Sequence, residues 1–295
     1  MKRLILNKIL PMLIILTGVL VAAYPWISDY MYRSRVSGVI TEYDNAVENT
    51  SENELKKLRK EAREYNKNLR KEVSALRDPF DENQMESISK KYSELPFKGS
   101  DVMGYVEIPK INVKLPIYHG TSSTVLESGV GHMEGTSLLV GGKSTHSVLT
   151  GHTGLSNKKM FTDLVEMEAG DLFFLRVLDE TLCYRVAEIN VVLPEDNEKL
   201  RIQTGRDLCT LLTCTPYGIN DHRLLVTGER TEYAEGMEEG QPGNDYISDW
   251  QKEYLKCILV GLAIVFLIFF MAKITRKYRK RNRIRKDSQN EKKTD

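Results

Sequence analysis

The chain has 295 residues and a net charge of +1, with 28% charged and 41% hydrophobic residues. That is length for one or two domains, and a domain of about 200 residues buries enough core to fold without a disulfide framework. The four cysteines show no clustered Cys/His spacing for zinc, and the net positive charge sits at the two ends rather than in a nucleic-acid-binding stripe.

The first element is Ile9 to Ile27, 19 residues without a charge behind Lys2, Arg3 and Lys8. That length crosses a hydrocarbon core of about 30 Å. Its length favours an anchor, while the small residues Ala22-Ala23 leave a cleaved signal peptide as the alternative.

Residues 28–99 read as a helical extension. Ser51-Glu52-Asn53-Glu54 is a capping box. After it, Leu55, Leu58, Ala62, Tyr65, Leu69, Val73 and Leu76 recur at steps of three and four, an apolar helical stripe. Asp78-Pro79 stops that helix, because proline lacks an N–H and restricts the residue before it. Met85, Ile88 and Tyr92 suggest a further short helix.

From Val102 the texture changes to short alternating runs broken at glycine and proline: VMGYVEIPKINVKLPIYHG, SVLTGHTG, DLFFLRVLDETLCYRVAEINVVLP, DLCTLLTC and HRLLVTGER. The third is two long strands joined near Asp179-Glu180. Thr121 to Ser128 and Lys158 to Val165 read as single helical turns. Seven to eight strands in about 130 residues predict a closed or nearly closed β-barrel.

Thr231 to Asp249 is rich in Gly, Glu, Pro and Asp, a linker. It leads to a second apolar run, Cys257 to Ala272. Snorkelling by Lys256 and Lys273 lets Tyr254 to Ile274 span a bilayer. Lys273 to Asp295 holds 11 Lys/Arg and 3 Asp/Glu, a net +8, and residues 1–8 add +3. With the whole chain at +1, residues 9–272 carry −10. Basic flanks stay in the cytoplasm, so both termini are expected inside and the middle outside, with the tail beside anionic lipid rather than nucleic acid. The expected organisation is 1–8 cytoplasmic, 9–27 membrane helix or signal anchor, 28–99 extension, 100–230 barrel, 231–253 linker, 254–274 membrane helix and 275–295 basic cytoplasmic tail.

Cys183, Cys209 and Cys214 fall in the exterior part, so they cannot all pair with one another. Cys214 closes one strand and Arg223 opens the next, nine residues later. A thiol attacks a carbonyl only as thiolate, and with a free pKa near 8.5 it needs a cation or a base nearby. Of the five histidines (His119, His132, His146, His152 and His222), His152 is the best base, because the small residues of Gly151-His152-Thr153-Gly154 leave room for substrate. Arg223 is the best cation; it does not act as a base at neutral pH, but it can hold an oxyanion.

TLLTC (Thr210 to Cys214) resembles the TLxTC signature of sortases, the membrane-anchored cysteine transpeptidases of Gram-positive bacteria. LTGHTG resembles the segment that carries their histidine, and NDHRLL the segment that carries their arginine. The resemblance covers roughly residues 100–230 and implies Cys214 as nucleophile, His152 as general acid/base and Arg223 as oxyanion and substrate ligand, with no metal or organic cofactor. The second membrane run, the helical extension and Asp78-Pro79-Phe80 are most similar to class C sortases, which polymerise pilins and lay an Asp-Pro-aromatic lid across their own active site. Such a lid is expected to pair Asp78 with Arg223 or a cationic His152 and to cover the Cys214 sulfur with Phe80, at a small cost in free energy.

The implied function is cleavage of an LPxTG-like sorting signal after threonine, through a Cys214 thioester, and transfer to a lysine amine of a pilin subunit. Two alternatives stay open: a sortase that anchors surface proteins to peptidoglycan amines, and a non-catalytic membrane-tethered binding domain. A papain-like protease is disfavoured, since that family places Cys well before His.

Overall fold

The computed structural model describes residues 2–69, 76–81, 92, 101–155, 158–237 and 249–291. Val73, Met85 and Ile88, and most of the expected linker, lie outside these residues.

The N-terminal run and the start of the extension form one continuous helix, α1 (Lys2–Glu48). Past the apolar run, its Tyr32, Val36, Ile40 and Tyr43 recur at steps of four, four and three and are all buried in the main core. Burial of Val36 and Ile40 contributes about 1.5–3 kcal/mol each. Tyr43 fixes the register on the barrel: its hydroxyl donates to the Met103 carbonyl at 3.2 Å and accepts from the Leu178 amide at 2.7 Å.

The serine half of the capping box forms, with the Glu54 amide donating to Ser51 Oγ at 3.3 Å. It starts α2 (Glu52–Leu69), which buries Leu55, Ala62, Asn66 and Leu69. Asn66 exchanges two hydrogen bonds with the Leu138 backbone, at 2.7 and 3.1 Å. Arg59 pairs with Glu180 at 2.5 Å and Asp179 at 3.2 Å. The expected stripe ran on to Leu76, but Leu76 and Arg77 are already non-helical, consistent with the steric reach of Pro79 on the residues before it. Tyr92, described alone in its region, is helical and buried.

Eight strands close a barrel: β1 (Val102–Ile108), β2 (Val113–His119), β3 (Val130–His132), β4 (Thr145–Thr150), β5 (Leu172–Val177), β6 (Glu180–Val192), β7 (Asp207–Thr215) and β8 (His222–Thr231). Their order around the barrel is β1-β2-β3-β4-β7-β8-β6-β5. Closure leaves no long free edge. The short strand β3 has no counterpart among the sequence runs; three residues are too few for a period to register. The helical turns appear as α3 (Ser123–Ser128) and a 3-10 turn at Thr162–Glu166.

Two pairings matter for the site. β4 and β7 run parallel, with Thr150 opposite Leu212. β7 and β8 form an antiparallel hairpin, with Cys214 directly opposite Arg223.

Residues Ile247–Asp295 form a separate unit. They contain α4 (Asp249–Glu291), in which Tyr254–Thr275, with a mean hydropathy of 2.8, is long and apolar enough to cross a membrane. It is the one such helix among the described residues. The described apolar side chains of the first run, including Leu13, Ile15, Val19 and Val21, are exposed on α1.

Candidate active site

Three sequence-distant residues meet at one rim because of strand register. The β4–β7 offset that sets Thr150 against Leu212 brings His152, two residues on, level with Cys214. The pairing continues past the strand end: the Gly151 amide donates to the Leu212 carbonyl at 3.0 Å. Thr213 Oγ1 then donates to the Gly151 carbonyl at 2.7 Å. Gly151 must be glycine, since a Cβ there would stand 2.7 Å from the Phe161 ring. The β7–β8 hairpin supplies the third residue. Its turn ends at Asn220 with φ of 62°, and β8 then opens with Arg223 across from the thiol.

Four of the five N–H donors of Arg223 are engaged. Nη1 donates to the Asn220 and His222 carbonyls, both at 3.0 Å. Nε and Nη2 grip the Asp78 carboxylate at 2.9 and 2.7 Å. The two side chains are 9% and 10% exposed, so this bidentate pair is largely shielded from solvent screening. Phe80 lies against Arg223, with the guanidinium carbon 5.2 Å from its centroid, and against His152, with ring centroids 5.5 Å apart. The ring expected over the Cys214 sulfur packs on the cation and the imidazole. Pro79 is buried. The segment is held from behind as well: Asn197 Nδ2 donates to the Leu76 carbonyl at 2.7 Å. Beneath Asp78 and Pro79, beside Arg223 and Leu212, a cavity of only about 10 Å³ remains. The segment is thus closely packed on the barrel at this point.

Burial pushes the Cys214 thiol up to about 11, against the pull of Arg223 and with the help of the Asp78 carboxylate. Burial also lowers the pKa of His152, with Glu127 and Lys158 as its weaker charged neighbours. Near pH 7 both groups are therefore neutral in this closed arrangement: a thiol and an imidazole, rather than an ion pair.

His119, His132, His146 and His222 stand elsewhere. His132 is stacked on Tyr92, with Nδ1 2.6 Å from its hydroxyl, and His146 bonds Thr210 at 2.7 Å. His222 pairs with Asp221 at 2.8 Å on the surface. None of the four cysteines forms a disulfide, and Cys183 and Cys209 are buried. Thr213 escaped the sequence reading as a functional residue although TLLTC contains it; only the parallel register gives its hydroxyl a partner.

Comparison with known proteins agrees with this geometry. Residues 106–231 match the sortase domain family. Among curated relatives, Sortase D of Bacillus subtilis is 30% identical over 151 residues, covering 50% of this chain and 73% of that protein. Sortase A of Streptococcus agalactiae is 30% identical over 131 residues, 43% of this chain; the chain spans only 52% of that relative's length. Among solved structures, Sortase C of Streptococcus pneumoniae, described in terms of catalysis and pilin substrate specificity, superposes with a TM-score of 0.61 at 43% identity, over 66% of this chain and 97% of that one. Sortase C-1 of Actinomyces oris does so with a TM-score of 0.57 at 50% identity, over 61% and 99%. The chain belongs to the sortase family of cysteine transpeptidases, and these structural neighbours are class C members.

Proposed function

We propose that the protein is a pilin-polymerising sortase acting on an LPxTG-like sorting signal. Cys214 Sγ attacks the threonine carbonyl while His152 takes the thiol proton. Arg223 donates to the oxyanion of the tetrahedral intermediate. The Thr–Gly C–N bond breaks, the leaving amine takes a proton from His152, and the acyl group stays on Cys214 as a thioester. A lysine amine of a second pilin subunit attacks that thioester and gives its proton to His152. The thiol leaves, and an isopeptide bond remains. This splits one difficult displacement into two easier ones.

Asp78, Pro79 and Phe80 act as a lid over this site. The observation that carries the reading is the bidentate grip of Asp78 on Arg223. The lid's carboxylate occupies the donors that an oxyanion would need, so the lid and the reaction compete for one guanidinium. The pair is shielded from solvent, so it is stronger than an exposed ion pair, but opening the lid returns both groups to water or to new partners rather than leaving a charge buried alone. Incoming substrate can supply the replacement acceptors.

The chain fits a two-pass membrane enzyme, with residues 9–27 and 254–274 spanning, both termini cytoplasmic, and the extension 28–99, barrel 100–230 and linker 231–253 outside. Protease added to intact protoplasts should digest the middle and spare a C-terminal tag; a digested tag overturns this topology. The reaction is tested by incubating the full chain with an LPxTG-type peptide and a lysine-bearing pilin fragment, followed by mass spectrometry. An isopeptide product with loss of the residues after threonine is expected. Transfer only to peptidoglycan-type amines would make it a wall-anchoring sortase. No cleavage, and no selective labelling of Cys214 by a thiol probe, would make it a binding domain.

A further inference from the structure

The strands position Cys214 and Arg223, but His152 stands beyond the end of β4 and needs support of its own. That support comes from the segment at Lys158–Thr162. The Phe161 amide donates to the His152 carbonyl at 3.1 Å, the Gly154 amide donates to Thr162 Oγ1 at 3.2 Å, and the Phe161 ring fills the space beside Gly151. The position of this segment is in turn set by α1. Asp29 Oδ1 accepts from the Lys159 amide at 3.1 Å, while Arg33 Nε holds the other carboxylate oxygen at 2.7 Å. The Tyr32 hydroxyl donates to the Ser128 carbonyl at 3.1 Å and lies 3.8 Å from Met160 Sδ. Lys158 Nζ sits 5.2 Å from the centre of the Tyr32 ring and bonds the Glu127 carbonyl.

Met160 and Phe161 are buried in the main core and Lys159 Nζ donates to the Ile111 carbonyl at 2.6 Å, yet packing on the α1 side is incomplete. A cavity of about 310 Å³ lies between α1 and β2 at this seam, lined by Asp29, Tyr32, Lys159 and Met160 among others. Where side chains leave such a gap, the directional bonds of Asp29 and Tyr32 decide where the segment rests.

We propose that Asp29 and Tyr32 of α1 are positioning residues for His152, acting through Lys158–Phe161. The inference rests on the reading of His152 as the acid/base. It makes the helix that leads in from the membrane part of the active-site scaffold, in addition to its role as a tether. Phe80 packs on the imidazole, and Glu127 and Lys158 are the charged side chains that act on it electrostatically. Displacing the segment therefore changes both the aim of the ring and its hydration.

The test uses the full chain in detergent micelles, an LPxTG-type peptide and a lysine-bearing peptide acceptor, with kcat and KM measured across pH. Asp29→Ala is expected to lower kcat about tenfold, since small misplacements of a catalytic group are costly, with KM within about twofold. The limb of the pH profile that reports His152 should move toward higher pH as the ring gains water. Asp29→Asn keeps an acceptor oxygen for the Lys159 amide and should restore most of kcat and the original profile. Tyr32→Phe should fall between the two. Wild-type kcat and pH profile in Asp29→Ala would overturn the proposal, as would an Asp29→Asn variant no better than Asp29→Ala. His152→Ala separates this from the underlying reading. If it keeps transpeptidation, the acid/base assignment itself falls. If it is inactive while Asp29→Ala is normal, only the positioning role falls.

Discussion

The two sides of the site are held by different kinds of force. On the Cys214–His152 side the bonds are mostly backbone, continued from the β4–β7 ladder by Gly151 and clamped by Thr213. On the Arg223 side the dominant contacts are side chains from a segment some 145 positions away in sequence, Asp78 and Phe80. A backbone ladder gives way only when the barrel does. A carboxylate gripping a guanidinium can be exchanged for another acceptor without disturbing a strand. The proposed nucleophile and base thus sit on the permanent structure, and the occluding element sits on the replaceable one.

The largest effects should come from the ladder side. Cys214→Ala and His152→Ala should each reduce transpeptidation by at least about 10⁴-fold, as deletions within a catalytic unit do, with unchanged far-UV circular dichroism. Wild-type turnover in Cys214→Ala would end the assignment. Arg223→Lys comes next, with a loss of roughly 10²–10³-fold in kcat, since an ammonium cannot reproduce the forked donors. Near-normal kinetics would remove Arg223 from the chemistry.

Opening the lid should act in the opposite direction. Asp78→Ala with Phe80→Ala removes burial and a carboxylate, both of which raise the Cys214 pKa, and leaves Arg223, which lowers it. The thiol pKa then falls from about 11, and the pH profile of alkylation moves to lower pH. At a fixed pH below the pKa, lowering the pKa by about 1 multiplies the thiolate fraction about tenfold. Labelling at pH 8 should therefore rise by about tenfold or more, with little change in melting temperature. Equal rates in wild type and double variant would reduce Asp78-Pro79-Phe80 to a helix stop. The smallest effect belongs to Asn197→Ala. It deletes one hydrogen bond behind the lid, worth about 0.5–1.5 kcal/mol, and should raise labelling roughly two- to tenfold. No change would show that Asp78 alone sets the closed population.

Much of this was legible in the sequence. The alternating runs pointed to the barrel, and the spacing of Cys214 and Arg223 across a short turn anticipated the hairpin that pairs them. The capping box at Ser51 marked the start of α2 correctly. Other features lie beyond a one-dimensional reading. The parallel β4–β7 pairing joins strands about 60 residues apart, and nothing local encodes its register. β3 owes its existence to neighbours on both sides. The contact of Phe80 with His152 and Arg223 depends on the path of the chain after Pro79. The apolar stripe of α2 pointed to Leu76 because Leu76 is indeed packed inward, against the lid-side cluster, but without helical backbone.

The burial of Cys214 under the lid also bears on oxidation. At pH 7, a thiol raised to about 11 is ionised in roughly one molecule in 10⁴. Peroxide attacks the thiolate, and the sulfenic acid it forms proceeds on further oxidation to irreversible products. On the proposed topology the site faces the outside of the cell, where no glutathione pool reverses the first step. Between substrates, the closed segment therefore holds the sulfur in its least oxidisable form at 9% exposure. On the proposed mechanism the reactive form exists mainly while a sorting signal occupies the site, so the same contacts that delay substrate entry would lengthen the working life of the enzyme.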